Sequence, residues 1–534
     1  MKDIKIYDTT LRDGSQMRGI KFSVEDKLKI IKKLDKSGIH YIECGWPSSN
    51  LTDKELFEKL KDVKLENSII SAFGSTRHYN KKVEEDSSLR GIIESEVKAC
   101  SIFGKAWDLH VTEGFGIPLE ENLKMVEESV AYLKKYVPEV FFIGEHFFDG
   151  YKNNKEYAKA VLKSAEKAGA DLLILADTNG GTQYFEIREI IRELKKEIKC
   201  NFGIHCHNDG GLAVANSIEA VREGAVQVQG TINGYGERCG NVNLCELIPN
   251  LQLKLGYNVL GEKINSLTSL AKYISEISNM QHPLNMPYVG ANAFTHKGGI
   301  HVSAVMKNSL TYEHIQPELI GNERNILISD LSGKSNVLYK IKEFGMENVV
   351  KSEHLPLILK QLEIFTKKGY DYEGAEASFE LLIKKIVYPK INYFEPVDFR
   401  VITEKIADFG TRTEATNKIK IKGEILHTVA EGNGPVNAIN ISIKKALEKE
   451  YPFIGDVSLI DYKVRIVEGM QSTKAITRVL IESRCEKTGE EWSTIGVSTN
   501  IIKASWKALL DSFSYYLYKR NERNKNSLFR RRLW

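Results

Sequence analysis

The chain has 534 residues, of which 42% are hydrophobic and 27% charged, and its formal net charge is +4. That balance is ordinary for a globular protein. It gives no overall basic excess of the kind nucleic acid recruits, and no apolar run nears the roughly 18 residues a membrane span needs. Single cores rarely grow beyond about 250 to 300 residues, so the length predicts more than one domain.

The first 260 residues alternate short β-branched or aromatic runs with longer amphipathic stretches, the pattern of repeated strand-helix units. In chain order the expected strands are "IKIYDTT" (4–10), "YIECG" (41–45), "IISAF" (69–73), "WDLHVT" (107–112), "VFFIGEHFF" (140–148), "LLILADT" (172–178), "FGIHCH" (202–207) and "VQVQGTIN" (226–233). Helical patterns lie between them, such as "SVEDKLKIIKKLDKSG", with Ser23 as N-cap and Gly38 as the stop. Eight units at about 30-residue spacing predict a (β/α)8 barrel over 1–262, with a doubly wound open sheet as the alternative.

From about 263 to 390 the pattern is helical, giving linker subdomains that carry His296, His301 and His314 around a double glycine. From 391 to 520 an α+β domain is expected. Within it, "NKIKIKGEILHTVAEGNGPVNAINISIKKAL" and "TRVLIESRCEKTGEEWSTIGVSTNIIKASWKALL" each combine strands, a glycine-centred turn and a helix, which suggests an internal duplication. The basic stretch 521–534 is read as a solvated tail rather than a nucleic-acid arm. Seven cysteines with no C-x-x-C spacing and no secretory segment ahead of them predict reduced thiols in a soluble cytoplasmic protein.

A barrel gathers its reactive groups where strands end. Just past the expected strands stand Arg12 and Asp13, Glu43, Arg77 and His78, Glu145, Asp177 and Thr178, His205 and His207, and Asn233. In "GIHCHNDGG" strand alternation points His205 and His207 one way and Cys206 the other, and two adjacent imidazoles form half of a metal site. Alone, the pair reads equally well as a hydrogen-bonded decoration of a strand. Strand one closes beside strand eight and near strand seven, so Asp13 supplies an anionic third ligand and leaves coordination positions open, as catalysis requires. Two imidazoles and a carboxylate suit manganese, cobalt or zinc, and magnesium less well. Glu43 and His78 are read as substrate-facing rim residues. Their competing roles are orientation of Arg12 for Glu43 and an ordinary rim histidine for His78, as for His110. The glycines of "GYGER" lack the G-x-G-x-x-G spacing of a dinucleotide site.

The combination of "TTLRDGSQ", "LADTNGGT", "HCHNDGGLAVANS" and "GTINGYGERCGNVNL" resembles the acyl-CoA Claisen condensation family that contains isopropylmalate, homocitrate and citramalate synthases. "AEGNGPVNAI" and the duplicated units are similar to that family's regulatory dimerisation domain. "IECGWPSSN" and "HKGGIHVSAV" are most like the branch that joins acetyl-CoA to pyruvate. The resemblance implies a divalent metal on Asp13, His205 and His207, with Asn241 at an outer or fourth position. It implies that Arg12 faces the substrate carbonyl, that Glu145 lies near the reacting methyl group, and that Thr178 holds the 2-oxo acid carboxylate. It further implies that His301 is the general base, that Tyr312 completes the site of a partner subunit in a homodimer, and that a branched-chain amino acid, isoleucine, acts as effector. Rival readings are a sister synthase using 2-oxoisovalerate or 2-oxoglutarate, a metal-dependent lyase or aldolase, and a non-catalytic amino-acid sensor.

Overall fold

The structure, a computed structural model, describes residues 2–328, 333–406, 410–467 and 475–531, with backbone alone over 522–531. The side chains of the basic tail from 522 onward therefore lie outside the described residues. Two compact units are present, one of Met1–Phe294 with His314–Arg324, the other of Thr295–Glu313 with Asn325–Trp534. The stretch expected to form helical linkers is thus divided between them.

In the first unit, β1 (Lys5–Asp8), β2 (Tyr41–Glu43), β3 (Ile69–Ser75), β4 (Ala99–Lys105), β5 (Glu139–Glu145), β6 (Leu172–Asp177), β7 (Phe202–Cys206) and β8 (Gln227–Gly230) pair in sequence order into a closed parallel barrel. Closure is made by β8 against β1, with Lys5 opposite Gln227 and Asp8 opposite Gly230, which rules out the open sheet. Alternation divides the strands. Tyr7, Phe141, Ile143, Leu172 and Ile174 fill the interior, whereas Ile6, Ile42, Phe142, Leu173 and Ile204 face the surrounding helices. The first helix, Val24–Lys36, starts in a Ser23–Asp26 capping box and ends before Gly38, whose φ of 82° only glycine adopts freely.

The fourth strand corrects the sequence reading. It is "ACSIFGK", and "WDLHVT" is a helical turn after it. Trp, Val and Thr gave 107–112 the higher β-propensity, but the barrel selects small residues where its walls crowd. A Cβ at Gly104 would lie 2.9 Å from the Phe142 ring, and Ser101 donates its hydroxyl to Tyr7 at 2.9 Å inside the barrel.

Just before β2, His40 accepts the Ile6 backbone N–H on Nδ1 at 3.1 Å, which requires the neutral ring, and burial pushes its pKa down to about 4. The unfolded chain binds this proton first as pH falls below about 6.5, so stability is lost between there and pH 4, on the order of 2 to 3 kcal/mol. Urea midpoints measured against pH should show this slope, and His40→Asn, a neutral acceptor, should flatten it.

In the second unit a short pair, β9 (Thr295–His296) and β10 (Asn325–Ile326), accompanies helices Gly299–Lys307, Lys334–Glu343, His354–Lys367 and Glu376–Val387. Two antiparallel sheets follow, β11 (Glu395–Ile406), β12 (Gly410–Ile421) and β13 (Glu424–Gly432), then β14 (Val457–Ile466), β15 (Thr477–Cys485) and β16 (Glu491–Ser498). Each ends in a helix, Pro435–Glu448 or Ile501–Arg531, and each first strand carries a register shift, at Pro396/Asp398 and Leu459/Asp461. The repeat is therefore a three-strand-plus-helix unit, one strand longer than the matched sequence segments. A glycine recurs where helix meets sheet. A Cβ at Gly432 would fall 2.5 Å from Ala438 N, and one at Gly496 would fall 1.9 Å from Ala504 O. Gly496→Ala should cost roughly 1 to 3 kcal/mol, read as a lowered melting temperature of this unit.

No helix among the described residues is long and apolar enough to cross a membrane.

Candidate active site

The turn after β1 sets the first half of the site. Asp8 accepts the Thr10 backbone N–H at 3.1 Å and its hydroxyl at 2.8 Å, and Thr10 Oγ1 in turn accepts from Ile232 N at 2.9 Å. This folds the chain so that Arg12 and Asp13 stand on the rim. Arg12 donates Nε to Glu43 Oε2 at 2.6 Å and Nη1 to Asp13 Oδ2 at 2.9 Å, and its guanidinium lies 3.9 Å above the Phe73 ring. Glu43, wholly buried at the end of β2, also accepts the Tyr7 hydroxyl at 2.8 Å. Burial raises the Glu43 pKa in spite of Arg12. Burial also works against the charge on Arg12, but the Glu43 and Asp13 carboxylates outweigh it and hold the pKa up. The geometry makes Glu43 an orienting partner of Arg12.

The end of β7 supplies the second half. His205 and His207 approach each other Nε2 to Nε2 at 3.4 Å, and His205 Nε2 is 3.5 Å from Asp13 Oδ2. Cys206 packs into the outer core. The three ligand atoms lie within 4.8 Å of one another, the one such group of His, Cys, Asp or Glu side chains among the described residues. Burial lowers the pKa of both imidazoles, which keeps their lone pairs available. Burial alone would raise Asp13, but the Arg12 guanidinium beside it outweighs this and holds the carboxyl below its usual range. His205 Nδ1 lies 3.3 Å from Gln229 Oε1 on β8, so that oxygen accepts the Nδ1 proton and leaves Nε2 free as a ligand.

Four buried polar atoms here have no hydrogen-bond partner, namely Asp13 Oδ1, His207 Nδ1, and Nδ2 and Oδ1 of Asn241, the residue whose backbone bridges to His207. Buried polar atoms are rarely left unpaired. An anionic oxygen, two neutral imidazole nitrogens and an amide oxygen are the donor set a divalent cation takes, so these residues fit one.

A cavity of about 260 Å³ opens on this cluster. Its polar wall carries Arg12, Asp13, Glu145, Thr178, His205 and His207, and its apolar wall Trp46, Phe73, Phe103, Ile143 and Ala176. Glu145, at the end of β5, forms an ion pair with Lys105. Thr178 Oγ1 accepts the backbone N–H of His146 at 2.9 Å, a residue with a left-handed φ of 53°. Asp209 binds Arg238, which also donates to the Thr178 carbonyl at 2.6 Å. His78 is exposed, stacks near Tyr79 with ring centroids 4.2 Å apart, and lines an adjoining cavity instead. Arg77 is held by Glu121 and Glu128.

His301 and Tyr312 belong to the second unit, where their exposed rings stack with centroids 4.1 Å apart. His296 is buried there against Glu313 at 3.1 Å. Sequence reasoning missed Lys105, Gln229 and Trp46. Lys105 ends the fourth strand, which the sequence reading misplaced. Gln229 was signalled by alternation along β8, whereas no local pattern marks Trp46.

Residues 3–274 match the HMGL-like family, 288–368 the homocitrate synthase post-HMGL domain-like family, and 373–517 the LeuA allosteric (dimerisation) domain. The chain is 53% identical to the (R)-citramalate synthase of Aquifex aeolicus over 97% of its own length and 98% of that protein's. It is 50% identical to the (R)-citramalate synthase of Geobacter sulfurreducens, over 98% and 99%. The chain belongs to the citramalate synthase family. Within that family's layout the Asp13, His205 and His207 cluster falls in the HMGL-like region and the duplicated sheets in the LeuA region. The Sulfolobus acidocaldarius relative, also named (R)-citramalate synthase, matches at 42% identity over 97% of both chains.

Proposed function

We propose that this chain is a citramalate synthase, an acyltransferase that joins the methyl carbon of acetyl-CoA to the carbonyl carbon of pyruvate. It then hydrolyses the thioester to give (R)-citramalate and CoA, a cytoplasmic entry to isoleucine that bypasses threonine. One observation carries the choice of acceptor. The cavity that joins the Asp13, His205 and His207 cluster to Arg12 and Thr178 holds only about 260 Å³ and ends in aromatic rings. That end suits a methyl group. A longer 2-oxo acid would have to place its additional methylenes against those rings. Each misplaced methylene is worth about 1 to 3 kcal/mol. The relatives named (R)-citramalate synthase support the same reading.

Arg12, with Nε and Nη1 already held, turns its remaining terminal nitrogen to the carbonyl oxygen and stabilises the alkoxide that develops there. Thr178 accepts from His146 N–H, so its own proton is free to hold the substrate carboxylate. Glu145 faces the reacting methyl group, its carboxylate fixed by Lys105. His301 is the proposed base for a methyl proton, a task imidazole suits because it titrates near neutrality. Asp13, His205 and His207 hold a divalent cation, with Asn241 beside them. When bound, that cation supplies Lewis-acid polarisation of a carbonyl, and manganese, cobalt or zinc suits these donors better than magnesium.

The LeuA match supports dimerisation and allosteric regulation; on this reading the chain is a homodimer in which Tyr312 completes the partner's site, and the effector is a branched-chain amino acid, isoleucine. Free thiol released from acetyl-CoA across a panel of 2-oxo acids tests the assignment. Pyruvate should give the highest kcat/KM, and absence of turnover with it would sink the reading.

A further inference from the structure

Beside the reaction cavity lies a second one of about 440 Å³, whose lining includes Ser75, His78, Phe115 and Met125. The two share Trp46 and Phe103. Trp46 meets Phe73 edge-on with ring centroids 5.6 Å apart and Phe103 edge-on at 5.9 Å, and the two phenylalanines stack at 5.5 Å. Three rings thus form one partition. Phe73 and Phe103 come from β3 and β4, but Trp46 comes from the loop after β2 and has to be held there.

It is held at both ends. Trp46 donates its backbone N–H to Asp53 Oδ2 at 2.9 Å, and Asp53 Oδ1 pairs with buried Lys27 at 2.6 Å. Its indole Nε1 donates to Ser88 Oγ at 3.0 Å, and the same oxygen accepts Ser75 N at 3.1 Å. Gly45, at φ 141°, lets the loop approach this pair, since a Cβ there would lie 2.5 Å from the Asp53 carboxylate. Burying an ion pair carries a desolvation cost, and here the pair fixes the loop that carries the indole.

We propose that Trp46 sets the upper length of the 2-oxo acid side chain by walling the reaction cavity off from its neighbour. This rests on reading the first cavity as the 2-oxo acid pocket. Without the indole the two spaces join, and Phe115 and Met125 offer apolar lining to a longer aliphatic chain.

The test is the ratio of kcat/KM for 2-oxoisovalerate to that for pyruvate, followed by CoA thiol release in the metal-loaded full-length protein. Trp46→Ala should raise the ratio roughly tenfold to a hundredfold. Trp46→Leu, which keeps an apolar contact with both phenylalanines if the alanine variant fails to fold, should raise it less. Trp46→Phe should stay within about threefold of the parent, as a ring is retained. An unchanged ratio in folded Trp46→Ala or Trp46→Leu overturns the proposal. A parent protein inactive with pyruvate instead defeats the functional reading itself, so the two failures are distinct.

Discussion

His205→Ala should abolish turnover, by about three orders of magnitude or more, while the barrel stays folded. The size follows from what the imidazole does. His205 Nε2 is 3.5 Å from Asp13 Oδ2, and its ring is oriented from behind by Gln229. Removing it leaves one carboxylate and one imidazole, too few to hold a divalent cation against water. Metal content after dialysis, measured by atomic emission, should fall in parallel with activity. Gln229→Ala gives a graded comparison, since the ring keeps its nitrogen and loses only its orientation, so metal affinity should fall about tenfold to a hundredfold. A His205→Ala protein that retained both metal and turnover would show that the cluster is structural.

Arg12→Lys should lower kcat by about a hundredfold to a thousandfold, with a smaller change in KM. A guanidinium can bind Glu43 and Asp13 through two nitrogens and still present a third to substrate, whereas an ammonium is a point charge on a flexible stem and cannot reach all three. The substitution also takes from Glu43, wholly buried, the Nε–H it accepts from Arg12, and burial already raises that carboxyl. Steady-state kinetics with pyruvate, beside circular dichroism to establish folding, would check it. A kcat within a few-fold of the parent would remove Arg12 from the reaction.

Much of this site could be read from the sequence because its parts sit where periodicity changes. Asp13 follows a strand and precedes a helix, and His205 in β7 and His207 just past its end follow one alternation, so barrel closure brings them together. The fourth strand could not be read the same way. In a closed barrel Ser101 answers to the Tyr7 hydroxyl on the inside and Gly104 to crowding by Phe142 on the outside, not to β-propensity, and the error hid Lys105 at that strand's end. Trp46 was hidden for a different reason. What fixes it is a set of contacts to Asp53, Lys27 and Ser88 that lie up to 42 residues away, and no local pattern announces them. His301 and Tyr312 were reachable only through family resemblance, since neither periodicity nor spacing distinguishes an exposed histidine on a nine-residue helix from any other. The duplication was visible as a repeat, but its first strands were not, because β11 and β14 each carry a bulge that breaks their alternation.

The most direct measurement follows the carbon that moves. Acetyl-CoA labelled with carbon-13 in its methyl group, incubated with pyruvate, manganese and the full-length protein, should give citramalate labelled in its methylene carbon, with one free CoA per labelled product by NMR and thiol assay. Free CoA with the label recovered only as acetate would mean simple thioester hydrolysis, and would contradict a condensation at the Asp13, His205 and His207 site.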